Sequence, residues 1–132
     1  MIVLDTHALI WWVSDPSQLS AKAKQAITKA KKTKSIAVSA ISFWEIAMLV
    51  NKGRLTLTIP VEDWLDQVSR LPEINIIPID HSIALKAVGL KGLGYSHDPA
   101  DRFITATAHG LKATLISKDQ KLQQAKAVKV FW

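Results

Sequence analysis

Short apolar runs that lead straight into helices constrain this chain more than any other feature. Residues 2–4, 36–39, 74–79 and 114–117 each read as a strand, and a helical pattern follows each within a few residues. Ile2-Val3-Leu4 is apolar at every position rather than at alternate ones, as in a strand covered on both faces. Strands alternating with helices point to an α/β fold with a mainly parallel sheet of four to five strands, counting a last edge strand at 128–131. Helices are expected at 7–13, 20–32 with Ser20 as N-cap, 42–51, 60–71, 80–90 with Asp80 or Ser82 as cap, 99–109 and 119–125. Gly53 and Gly110 should lie just past two of these helices. Residues 89–98, with glycines at 89, 92 and 94, read as a loop. A chain of 132 residues without repeats, linkers or low-complexity tracts fits a single domain over 1–132.

Charge and composition narrow the function classes. Seventeen Lys and Arg against 11 acids give a formal charge of +6, which favours an anionic partner, nucleic acid first. The absence of cysteine removes disulfides and thiolate metal sites. No two of the histidines (7, 81, 97 and 109) are spaced as zinc ligands on one helix, although His7 and His97 flank candidate acids. No apolar stretch approaches the ~20 residues that span a bilayer. No basic-then-apolar leader precedes the first strand, so the expectation is a cytoplasmic protein with no membrane role.

In so basic a chain the placement of the acids is informative. Asp5 closes the first strand, and Asp119 follows the fourth. In parallel sheets ligands bind beyond the carboxyl ends of the strands, so residues 114 positions apart would share one rim. Glu45 and Asp101 lie in the first turns of apolar helical segments. Each acid also has an ordinary structural reading. Asp5 suits an N-cap, unless Thr6 takes that role. Ser42-Phe43-Trp44-Glu45 matches a capping box. Asp98-Pro99-Ala100-Asp101 matches an N-cap, a first-turn proline and an acid favoured by the helix dipole. Ser117-Lys118-Asp119 suits a turn. Asp80 has the same strand-to-helix position and reads only as a cap.

The ordered set says more than its members. Ile2-Val3-Leu4-Asp5-Thr6-His7, Ser42-Phe43-Trp44-Glu45-Ile46-Ala47, His97-Asp98-Pro99-Ala100-Asp101-Arg102 and Leu115-Ile116-Ser117-Lys118-Asp119 resemble the successive motifs of the PIN-domain nucleases, in particular the bacterial VapC-like toxins of type II toxin–antitoxin systems. The resemblance covers nearly the whole chain. It implies a PIN-like three-layer α/β/α sandwich and an endoribonuclease that hydrolyses RNA with Mg²⁺ or Mn²⁺. The implied metal-binding and catalytic acids are Asp5, Glu45, Asp101 and Asp119, with Asp98 as a cap or outer ligand. Ser117 stands where the family more often has threonine. Thr6, Ser117 and Arg102 would position ligands or phosphate, and Lys22, Lys29 and Lys32 would track the RNA backbone, unless their helix is only a solvated face.

Clustered carboxylates at 4 Å repel by about 4 kcal/mol per pair at an effective dielectric of 20, and hard divalent cations relieve that repulsion. Two such ions would activate a water and stabilise the leaving 3′ oxygen. The resemblance also implies a cognate antitoxin and a homodimer, whose interface could use apolar faces around Trp44, Met48 and Trp64. Two other classes stay open. A phospho-acceptor receiver domain would want adjacent acids after the first strand, where Asp5 is followed by Thr6. A non-catalytic PIN-like RNA-binding module would lack an acid, and none is missing.

Overall fold

The computed structural model describes residues 1–90 and 98–132. Five strands, β1 (Ile2–Leu4), β2 (Ile36–Ser39), β3 (Ile74–Ile77), β4 (Thr114–Ile116) and β5 (Val130–Phe131), form one sheet in the order β3-β2-β1-β4-β5. Every pairing is parallel, with Leu4 opposite Val38 on one side and Ile116 on the other. Around it lie α1 (Thr6–Ser14), α2 (Ala21–Lys32), α3 (Ala40–Asn51), α4 (Val61–Ser69), α5 (His81–Gly89), α6 (Pro99–Leu111) and α7 (Gln120–Ala125).

Strand side chains alternate between the two faces, and both faces are sealed. Leu4, Ile36, Val38 and Ile116 pack with residues of α1, α2 and α4. Val3, Ala37 and Leu115 pack with Ile104 and Ala108 of α6 and Leu122 of α7. This two-sided burial explains the unbroken apolar runs and makes the three layers that the family resemblance implies. Among the described residues no helix is long and apolar enough to cross a membrane.

Most helices begin where a side-chain acceptor meets their free amides. Asp5, Ser20, Asp80, Asp98 and Asp119 cap α1, α2, α5, α6 and α7. Thr6 is therefore inside α1 and does not cap it. The start of α3 differs from the sequence reading. Ser39, at the end of β2, accepts the Ile41 amide and caps the helix, so Ser42 is a buried first-turn residue and makes no capping box with Glu45. Gly53 does close α3, with a φ of +69° that L side chains rarely adopt. Gly110 does not close α6. The helix continues through it to Leu111, and Lys112 takes the left-handed position with a φ of 51°. A Cβ on Gly110 would sit 3.4 Å from Ile83 Cδ1, an ordinary contact, so the residue lies on the face of α6 that meets α5.

Trp64 is also reassigned. It is 4% exposed, packs in the core, and donates its indole N–H to Ser14 Oγ at 2.8 Å. It has no face to offer a second subunit. Trp44, by contrast, is 55% exposed. The sequence-expected loop over 89–98 falls mainly on 91–97, outside the described residues, as does His97.

Candidate active site

The carboxyl ends of β1 and β4 and the starts of α3 and α6 meet around one cavity of about 430 Å³. It is lined by Asp5, Glu45, Asp98, Asp101 and Asp119, together with Thr6, His7, Trp11 and Lys118. All five sequence-expected acids thus come to one place. Asp80, the comparison acid, is not among the lining residues; it caps α5 by accepting the Ile83 amide at 2.9 Å.

Three of the acids do two things at once. Asp5 Oδ1 accepts the Ala8 amide at 2.8 Å, Asp98 Oδ1 the Ala100 amide at 3.0 Å, and Asp119 Oδ1 the Lys121 amide at 2.8 Å. The capping alternative therefore holds for Asp5 and Asp98, Asp119 caps α7 where a turn was expected, and all three also line the cavity. Glu45 lies in the second turn of α3, is buried, and has no capping role. Asp101, at the third position of α6, is half-buried.

The electrostatics follow from this crowding. Burial pushes the Asp5 carboxyl above its usual value, against the Ser117 hydroxyl, the Ala8 amide and His7, while Asp119 adds repulsion. Burial likewise raises Glu45, offset by the Thr6 hydroxyl and His7 and reinforced by Asp98 and Asp5. Asp101 is pushed up to about 7, first by burial and then by Asp98, Asp119, Glu45 and Asp5 in turn. Asp101 thus feels the other four as negative neighbours, which places all five in one field.

A hard divalent cation fits this donor set, because it offers only carboxylate oxygens and carries the repulsion that such an ion relieves. Among the described residues no three carboxylate or histidine groups already close on one point. The acids form a ring around the cavity, and three of them keep an oxygen on a helix amide.

The polar neighbours divide. Thr6 Oγ1 donates to Ser42 Oγ at 3.1 Å in a buried link between α1 and α3, close to Glu45. Ser117 lies beside Asp5, and its Oγ accepts the Asp119 amide at 3.1 Å, joining two acids through one hydroxyl. Arg102 departs from the expected phosphate contact. It is buried, with Nε donating to the Ala87 carbonyl at 2.9 Å and an Nη to Val88 at 3.1 Å, so it braces α6 against the end of α5. The α2 lysines divide between the two ends of the sheet. Lys22 Nζ lies 4.5 Å over the Phe131 ring, near the carboxyl end of β5. Lys29 borders a depression with Met1, Ile2 and Ser35, at the opposite end of the strands. A helix of 12 residues is about 18 Å long, so Lys29 and Lys32 stand far from the acids. Neither Lys118 nor Trp11 was expected at this site from sequence, although both line the cavity. The position of Lys118 beside Asp119 at a strand end was the available signal for it.

The PIN domain family profile matches residues 2–128. This chain belongs to the PIN domain family. This PIN domain is 40% identical over 124 residues to Ribonuclease VapC22 of Mycobacterium tuberculosis, covering 92% of this chain and 89% of that one. Its fold is similar to that in VapBC2 from Rickettsia felis bound to a promoter DNA fragment, with a TM-score of 0.72, 20% identity, and 99% and 98% of the two chains covered. A toxin–antitoxin complex from Klebsiella pneumoniae is similar at a TM-score of 0.60 and 25% identity, over 92% of this PIN domain and 88% of that chain.

Proposed function

We propose that this PIN domain is an endoribonuclease that hydrolyses RNA phosphodiester bonds and acts as the toxin of a toxin–antitoxin pair. The observation that carries this reading is the meeting of Asp5, Glu45, Asp98, Asp101 and Asp119 around one cavity at the carboxyl end of a parallel sheet. The 40% identity to a protein named as a ribonuclease supports it. Asp5, Glu45, Asp101 and Asp119 would hold Mg²⁺ or Mn²⁺, with Asp98 as an outer ligand. Such an ion supplies an activated water and charge neutralisation at the departing 3′ oxygen.

The chain's own groups do the rest. Thr6 and Ser117 hold Glu45 and Asp5 through hydroxyl contacts and so limit how the acid ring can move. Among the described residues Lys118 is the lysine lining the cavity, placed to admit a phosphate that the acids alone would repel. The net charge of +6 favours approach of a polyanion. An antitoxin that covers the cavity belongs to the same reading, and the related complexes from Rickettsia felis and Klebsiella pneumoniae support it. For a homodimer, exposed Trp44 with neighbouring Met48 remains the apolar face to test, without Trp64.

The test is cleavage of a panel of RNAs in Mn²⁺ and in EDTA, by the parent and by Asp5→Asn, Glu45→Gln, Asp101→Asn and Asp119→Asn. Cleavage that EDTA stops and that each variant loses by roughly a hundredfold or more is the expected result. A folded, Mn²⁺-loaded Asp5→Asn that cuts RNA as fast as the parent refutes the proposal.

A further inference from the structure

One wall of the acid cavity is aromatic and basic. His7 and Trp11, one turn apart on α1, both line it, with ring centroids 5.5 Å apart. Trp11 meets Trp132 edge-on, again at 5.5 Å. The Lys118 ammonium lies 5.8 Å from the centre of the Trp11 ring, and Lys22 lies 4.5 Å from that of Phe131. Trp11, Phe131 and Trp132 are half-buried, so none of these rings is sealed into the core. Acids, planar rings and two ammonium groups thus follow one another along the carboxyl edge of the sheet.

We propose that Trp11, backed by Trp132 and flanked by Lys118, is a base-stacking subsite for the unpaired nucleotide next to the scissile phosphate. This inference rests on the ribonuclease reading and adds to it a residue that positions the substrate. Planar rings beside a cationic group are how proteins hold unstacked bases without reading their identity. In a duplex the bases are already stacked on each other and cannot use such a surface. In the free protein the Lys118 ammonium rests near the Trp11 ring. A base arriving on that ring displaces it towards the adjoining phosphate, where its charge is needed. The subsite positions substrate and takes no part in bond breaking.

The experiment uses the whole chain in Mn²⁺ and a ten-nucleotide single-stranded RNA, with an abasic ribose stepped through each position. Binding is followed in parallel by anisotropy of the labelled RNA on Asp5→Asn. For the parent, an abasic ribose at one position beside the cleaved bond should raise KM about tenfold and leave kcat nearly unchanged. Trp11→Ala should raise KM for intact RNA similarly and become indifferent to that abasic position, and Trp11→Phe should restore most of the loss. The abasic series on the parent needs no variant to fold. Equal KM at every abasic position, or an undiminished abasic penalty in Trp11→Ala, overturns the subsite while leaving the nuclease intact. No cleavage and no binding of any RNA overturns both readings.

Discussion

Asp101 offers the sharpest test of the electrostatics. Its carboxyl titrates near 7 in the folded protein against 3.8 ordinarily, because it is half-buried among four other acids. A gap of that size corresponds to about 4 kcal/mol at ~1.4 kcal/mol per pH unit. Solvent reaches a half-buried group and screens part of this, so about 2 kcal/mol is the expected effect. The folded state holds the Asp101 proton more tightly than the unfolded chain does. Its contribution to stability therefore falls as pH rises from about 4 to about 7, and the penalty is fully present above 7. Asp101→Asn removes the charge while keeping the shape. In EDTA at pH 8 the variant should melt roughly 5–10 °C above the parent, and the difference should vanish below pH 4. Mn²⁺ at pH 8 should close most of the gap by stabilising the parent more than the variant. Thermal denaturation by circular dichroism across pH, with and without Mn²⁺, measures all three. If Asp101→Asn melts with or below the parent at pH 8 in EDTA, the acids do not share a field and have no repulsion for a common cation to relieve.

Three further outcomes follow from the packing and the charge map. Ser42→Ala removes the buried hydrogen bond from Thr6 and should lower stability by about 1 kcal/mol in urea denaturation. Arg102→Lys cannot reproduce the paired donation to Ala87 and Val88, and should cost about 1–3 kcal/mol in the same assay. Lys118→Gln should flatten the salt dependence of RNA binding by about one phosphate's worth, whereas Lys29→Glu and Lys32→Glu, at the far end of the sheet, should leave the slope unchanged.

The parallel sheet was legible because two-sided burial writes apolar residues at every strand position, as Val3, Leu4, Ala37 and Val38 do. The acids were legible as an ordered set, since strand ends are where a parallel sheet gathers its ligands. What escaped was whatever depends on contacts between distant segments. Ser42 looked like the cap because a glutamate follows it three residues later, but the strand already ends on Ser39, whose hydroxyl is one turn better placed. Gly110 looked like a stop signal, but α6 runs on to Leu111 and Lys112 takes the left-handed turn. Arg102 stands next to Asp101 in sequence, yet at this helical spacing it turns to the end of α5. Lys22 and Lys29 share a helix and a charge, and only the direction in which α2 crosses the sheet separates them.

The double duty of Asp5, Asp98 and Asp119 has a consequence for inheritance. An asparagine at any of these positions keeps the oxygen that receives the helix amide and discards only the charge. A single codon change of this kind therefore removes a negative charge from the cavity and leaves the helix start in place. The charge of the cavity can thus be edited one residue at a time without disturbing the scaffold that carries it.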